Sequence, residues 1–311
     1  MAGKVKVQPV SRLALAQLVE LAEHLRSALP GWEDAVAESG RTRQPIDLDH
    51  DLAHLAHHDQ DGFLTAGLDD EVIGFAAGYV RTRLLTITHF WLLPERDDER
   101  LAAALMRRLL AFGDRAGVAD IALHALGGAA FQGLALRHGF KPRFPVYRLT
   151  LEPDLAWRAG QELSRLLPGT EHTDEALERR VGLGDLDRLD RLMRGVTRPM
   201  DHEYWLNQRQ LRLATVREGR RVAAYAYGGA GQCGPVVATT AEAALAALGH
   251  ALAFAGAASV TPVAVLIPAP FEPALEHLLG AGAQCRAVSQ WMSRNPATGM
   301  DRYVLAGQTL A

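Results

Sequence analysis

The sequence predicts a mixed α/β layer fold (α+β mixed sheet) built twice in tandem, and three observations carry that reading. Hydrophobic periodicity switches repeatedly between two residues and about 3.6 along the chain. The first half orders its elements as strand, two helices, three strands, helix, strand, helix, strand, and the second half begins that order again about 145–150 residues later. The 311 residues suit two domains of about 100–200 residues each, and each half is long enough to bury its own core.

Residues 5–10 alternate as a first strand. Residues 13–29 carry leucines at helical spacing and stop at Pro30-Gly31, and residues 46–57 form a second amphipathic helix. Residues 62–67 read as a strand with a turn at Asp69-Asp70. Strands follow at 72–80 and 84–93, the latter dense in Thr and aromatics. A charged loop spans 94–98. Residues 99–116 form a long helix with Leu101, Leu105, Leu109 and Leu110 on its apolar side. A short strand at 119–124 precedes a helix at 129–138, which ends on Gly139 in a left-handed cap. Residues 146–151 close the first half. This is an antiparallel meander followed by a strand–helix–strand crossover.

The expected organisation is an N-terminal domain at 1–151, a helical linker at 152–178 containing Pro153, Pro168 and Gly169, and a C-terminal domain at 179–311. Within the last, strands are expected at 179–184, 211–216, 221–227, 233–238, 263–267 and 289–293. Helices are expected at 186–194, 240–255 and 272–279.

Composition narrows the function classes. Hydrophobic residues make up 48%, charged residues 22%, and the net charge is −3 with no long run of one sign, so no nucleic-acid footprint is present. The start MAGKVKVQPV has no apolar signal core. The longest apolar stretch, AALAALGHALAFAGAA, contains His250 and falls short of a membrane span. A cytoplasmic protein without a membrane partner is expected. Cys233 and Cys285 make neither a zinc spacing nor a disulfide framework and read as two small buried residues.

The segments VIGFAAGYV, HFWLLPERDDERLAAALMRRLLAFG and LALRHGF occur in that order in the first half. The second half answers with RRVAAYAYGG, CGPVVATTAEAALAAL and PALEHLLGAGAQ. As an ordered set this resembles the GNAT superfamily of N-acetyltransferases in its double-domain form. The resemblance implies that strands four and five of a domain splay apart. The pantetheine arm of coenzyme A then pairs with the exposed edge of strand four as an added strand would. The pyrophosphate rests on free amides at the start of the next helix. In this sequence the resemblance puts the pantetheine on the backbone of Leu92 and Leu93, and the pyrophosphate on Arg100, Leu101 and Ala102.

The match is incomplete in a chemically informative way. The family's Gln or Arg, Gly, and Gly or Ala fall on Asp97, Arg100 and Ala102, of which only Ala102 agrees. Asp97, Asp98 and Glu99 would satisfy the helix amides themselves and repel a pyrophosphate, with Arg96 and Arg100 as the offset. In the second half Thr239, Thr240, Ala241 and Glu242 read as a capping box that uses the same donors. The family's acidic tyrosine falls on Ala135 and Leu278, so neither half can protonate a leaving thiolate in that way.

Two histidines are the candidate catalytic groups. His89 on strand four and His124 at the end of strand five would share the cleft, where an imidazole suits proton removal from an amine. His50, His54 and His58 share a helix face at four-residue spacing, but no Cys or Glu completes a metal motif, and no metal is expected. Asp201, His202, Glu203 and Tyr204 read as a polar turn or a second acceptor cleft. Arg188, Arg191, Arg194 and Arg198 read as an exposed helix face or an anion-steering stripe.

The function the resemblance implies is an acyl-CoA-dependent N-acyltransferase, with acetyl-CoA as co-substrate and a small-molecule or peptide amine as acceptor. The alternative is a non-catalytic tandem scaffold, structural or CoA-sensing. A homodimer formed through a sheet edge or the second domain is an open arrangement.

Overall fold

The computed structural model describes residues 5–10, 18, 21, 48–68, 71–93, 99–126, 129–167, 182–297, 299–307 and 309–310. Its elements, in chain order, are β1 (Val5–Pro9), α1 (Leu48–His58), β2 (Phe63–Leu68), β3 (Glu71–Arg81), β4 (Leu84–Leu92), α2 (Glu99–Arg115), β5 (Asp120–Ala125), α3 (Ala129–Arg137), β6 (Lys141–Leu151), α4 (Pro153–Ser164), α5 (Leu183–Arg194), α6 (Pro199–Glu203), β7 (Arg212–Glu218), β8 (Arg221–Gly229), β9 (Gln232–Ala238), α7 (Ala241–Ala258), β10 (Val263–Pro268), α8 (Glu272–Gly280), β11 (Gln284–Ser293) and β12 (Tyr303–Val304). The mixed α/β class agrees with the sequence reading. The helix expected at 13–29 lies almost wholly outside the described residues; Leu18 and Leu21 within it are helical. The strand expected at 179–184 is not formed over its described part, where Leu183 and Gly184 begin α5.

The chain forms two compact units whose membership departs from a cut at residue 151. Described residues 48–143 pack with 289–296 in the first, and residues 144–288 with those from 297 on in the second. Most of β6 therefore belongs to the second unit, and the end of β11 to the first. Sequence order could not show this, because the strand partner of each segment lies more than a hundred residues away.

In the first unit β1 to β4 form an antiparallel meander. The crossover through α2 makes β5 parallel to β4, and residues 290–293 of β11 pair antiparallel with β5. Helix α2 buries Leu101, Leu105 and Leu109, one row at four-residue spacing, with Met106 beside it. They meet Leu85 and Ile87 of β4 and Ile121 and Leu123 of β5 in the core. Gly139 follows α3 at φ 84°, the left-handed position that a residue without Cβ adopts at low cost.

In the second unit β7, β8 and β9 are antiparallel neighbours, β9 and β10 are parallel, and β10 pairs antiparallel with β6. Helix α7 is 18 residues long and apolar enough to span a membrane by length and composition, more than expected of a stretch that falls short of a span. Here it is the core helix of the unit: Ala243 through Leu252 are all buried. Its partner is α4, the segment read as a linker, which contributes Ala156, Ala159 and Leu163 to the same core. The two helices meet backbone to backbone. A Cβ on Gly160 would stand 2.5 Å from the Ala253 amide, and one on Gly249 would stand 2.4 Å from the Ser164 amide. Backbone cannot yield as a side-chain tip can, so Gly249→Val is expected to cost the unit about 3 kcal/mol or more. Urea unfolding measures this, and a loss below about 1 kcal/mol would mean that the helices separate freely.

Candidate functional site

The site is built by a fork in the first unit's sheet. β4 and β5 pair only from Leu84↔Asp120 to Ile87↔Leu123. Against β3, Ile87 pairs with Gly78 and His89 with Ala77, so Thr88 is an extra residue in β4. A bulge of this kind bends a strand and shifts its side-chain alternation. Leu85 and Ile87 lie in the core before the bulge, whereas Phe90 and Leu92 pack against that core after it. Among the described residues no strand stands between residues 89–92 and the end of β5.

Two buried polar atoms at the start of the fork have no hydrogen-bond partner, Thr88 Oγ1 and His124 Nδ1. Leaving such atoms dry and unpaired costs about 1–3 kcal/mol each, and a site that awaits a polar ligand is one reason to carry that cost.

The two candidate histidines differ sharply. The Trp91 indole Nε1–H donates to His89 Nδ1 at 3.1 Å. A neutral imidazole has one lone pair, so this bond places the proton on Nε2 and occupies the pair a base would use. His89 is buried against Phe75 and Trp91. In this arrangement it is a packed strand histidine. His124 Nε2 lies 2.7 Å from Ser289 Oγ, and its ring is tilted on Trp291 at 6.1 Å. Burial pushes its pKa down to about 4, so the imidazole is neutral at physiological pH. Ser289 and Trp291 come from β11, far along the chain, and nothing local in the sequence joins them to His124.

The expected coenzyme residues separate in the same way. The Leu93 amide donates to Ile73 O at 2.9 Å, so it is already used by β3. Successive strand amides point to opposite sides, so the Leu92 amide faces away from β3, toward the fork. Asp97, with the rest of residues 94–98, lies outside the described residues. Glu99 and Arg100 are exposed at the start of α2, and Leu101 is a core side chain, so it could offer a ligand only its amide. Ala102 packs partly against the same core. Arg100, Leu101 and Ala102 stand in the first turn of α2, where backbone amides have no intrahelical acceptor and the helix dipole is positive. Ala135, at the family's tyrosine position, is buried.

The second unit holds a polar cluster that the sequence reading missed as a unit. Asp190 of α5 accepts from Tyr225 OH (2.7 Å), from Arg198 Nη2 (3.0 Å) and Nε (3.2 Å), and pairs with His202 Nε2 (2.9 Å). His202 Nδ1 meets Tyr227 OH at 2.9 Å. All five side chains are buried. Burial opposes ionisation of Asp190, but the Arg198 guanidinium and the hydrogen bonds from His202 and Tyr225 prevail and hold its pKa at about 2. The expected exposed arginine face is therefore divided: Arg188 and Arg191 are exposed, whereas Arg198 is buried. The expected polar turn at 201–204 is helical, with Asp201, His202 and Tyr204 buried. The only signal was the mixture of Asp, Arg, His and Tyr at helical and strand spacings; their convergence needs the fold.

Asp187, Asp190 and His202 form the one metal-like group among the described residues. Arg198 already supplies its positive charge, and the Arg198 amide donates to Asp187 at 3.1 Å. The donor set is thus satisfied by protein and does not suit an ion. The His54 and His58 rings lie 4.6 Å apart; His54 is buried and His50 exposed. Of the two cysteines Cys233 is buried and Cys285 exposed, which corrects the reading of both as buried. The cap of α7 is Thr240, whose Oγ1 accepts from the Ala243 amide at 3.2 Å, one residue later than expected.

Residues 19–140 match the Acetyltransferase (GNAT) family. No curated protein sequence matches the chain. Several solved structures share its fold. A proposed acetyltransferase from Pyrococcus horikoshii superposes with a TM-score of 0.73 at 16% identity, covering 99% of this chain and 96% of its own. A GCN5-related N-acetyltransferase from Sphaerobacter thermophilus gives 0.58 at 12% identity, covering 94% and 96%. A tandem GNAT protein from the clavulanic acid biosynthesis pathway gives 0.53 at 12% identity, covering 94% and 100%. At these identities the likeness concerns the fold.

Proposed function

We propose that this chain, which carries a GNAT acetyltransferase domain over residues 19–140, is an acyl-CoA-dependent N-acyltransferase working through the fork of its first unit. The observation that carries the reading is the bulge at Thr88 and the open edge beyond it, with two orphaned buried polar atoms at its root. The residues fit a coenzyme. The Leu92 backbone faces the fork, and the amides at Arg100, Leu101 and Ala102 begin a helix whose dipole favours phosphate. Bound acetyl-CoA supplies an activated thioester carbonyl carbon.

The chain's own residues then handle the proton. His124, neutral above pH 4, would accept at Nδ1 the proton that the amine nitrogen loses as its bond to carbon forms, and return it to the coenzyme A sulfur as the C–S bond breaks and the thiol leaves. Ser289 orients the ring from Nε2. His89 shapes the wall with Phe75 and Trp91 and takes no proton. The acceptor is a small-molecule or peptide amine, and the protein works in the cytoplasm.

Calorimetry with acetyl-CoA tests this. Wild type should bind one equivalent saturably. Arg100→Glu, which reverses charge at the helix start, should raise Kd by about tenfold or more, near 1.4 kcal/mol. No binding at millimolar acetyl-CoA would overturn the reading and leave the scaffold alternative.

A further inference from the structure

The second unit has its own fork, and it is filled. β9 and β10 pair in parallel at only two positions, Gln232↔Ala264 and Cys233↔Val265. Beyond them the strands part, as β4 and β5 do beyond Ile87. Residues 303–305 enter the gap. Tyr303 and Val304 pair antiparallel with Val237 and Val236 of β9. On the other side Leu305 bridges Leu266 of β10, its amide donating to Leu266 O at 3.2 Å.

The fit is specific. A Cβ on Gly234 would stand 2.2 Å from Leu305 O, and Gly234 sits at φ 126°, so both the space and the backbone conformation require glycine where the inserted strand passes. The Gln232 side chain donates to Ala306 O. Tyr303 OH accepts from Arg194 Nη1 at 2.8 Å, and the guanidinium carbons of Arg194 and Arg198 lie 4.9 and 5.9 Å from its ring centre. Tyr303, Val304, Leu305 and Ala306 are all buried. Arg198 is in turn held by Asp190, so the buried polar cluster builds one wall of the pocket for this aromatic side chain.

At the helix after β9, Thr240 already uses the Ala243 amide, one of the donors a pyrophosphate would need. The fork is thus spent on a strand, and one amide of the helix start on a hydroxyl.

We propose that the second unit's fork is a peptide-strand site, occupied in cis by residues 303–305, and not a coenzyme site. Its ligand is an extended segment with an aromatic hydroxyl in the Arg194–Arg198 pocket, followed by two aliphatic residues. This goes beyond the reading of the first unit and does not depend on it.

A protease site inserted after Ala297 tests the proposal on a chain that has already folded. After cleavage the C-terminal fragment should stay bound, and an excess of labelled peptide spanning 300–310 should exchange with it. Peptides carrying Leu305→Pro, which lacks the bridging amide, or Tyr303→Ala should bind at least about tenfold more weakly. Millimolar coenzyme A should leave the fragment in place. Fragment loss on cleavage, equal binding of the Leu305→Pro peptide, or displacement by coenzyme A would each overturn the proposal. In the uncut chain Leu305→Pro should also speed hydrogen exchange at the β9 amides that face β12, and unchanged exchange there would overturn it as well. A chain that binds no coenzyme anywhere, but exchanges peptide as described, refutes only the reading of the first unit.

Discussion

Asp190→Asn is expected to destabilise the second unit by about 3–5 kcal/mol, because it leaves the Arg198 guanidinium buried without its counter-charge. The neutral amide fills the same volume, so packing is not the cause. It also loses the charge on which the hydrogen bonds from Tyr225 and His202 converge. Urea unfolding followed by tryptophan fluorescence reads the loss, since Trp205 lies on this cluster, with Arg198 4.9 Å above its ring. Asp190→Leu combined with Arg198→Met should lose less than the two single changes added together, because neither charge is then stranded. A loss below about 1 kcal/mol for Asp190→Asn would show that water reaches the cluster. The pH dependence has a fixed sign. The folded pKa of about 2 lies below the ordinary aspartate value of 3.8, so this contribution is complete above pH 3.8 and disappears as pH falls through 2.

His124→Gln should lower kcat by about 10²–10³ with little change in acetyl-CoA affinity, if the imidazole is the proton acceptor. Glutamine keeps polarity and much of the volume but has no basic nitrogen. Ser289→Ala should cost less, about tenfold, since it only frees the ring to turn. Thiol release from acetyl-CoA across a panel of primary amines measures both. An unchanged kcat in His124→Gln would remove the residue from the mechanism. Stability offers a second readout that needs no acceptor. The His124 pKa falls from 6.5 to about 4 on folding because burial penalises the charged ring. The unfolded chain therefore binds the extra proton first as pH drops. Stability is whole above pH 6.5 and declines by about 3 kcal/mol as pH falls to 4. In His124→Gln that slope should flatten between pH 4 and 6.5.

What the sequence determined by itself was local. The row of Leu101, Leu105 and Leu109, the cap at Gly139 and the alternation in β2 to β4 were legible because each is set within a few residues by period or by a single glycine. β6 begins at Lys141, five residues before the strand expected at 146–151. The tertiary structure alone decided everything that depends on which distant segments meet. It gave Ser289 to His124, turned the linker into the core partner of α7, gathered Asp190, Arg198, His202, Tyr225 and Tyr227 into one network, and set residues 303–305 into the second fork. Two paired residues are too short to register as a strand, and a backbone hydrogen bond carries no side-chain signature. The fork in the first unit has the same origin, since one extra residue at Thr88 is invisible until β4 has a partner against which to be out of step.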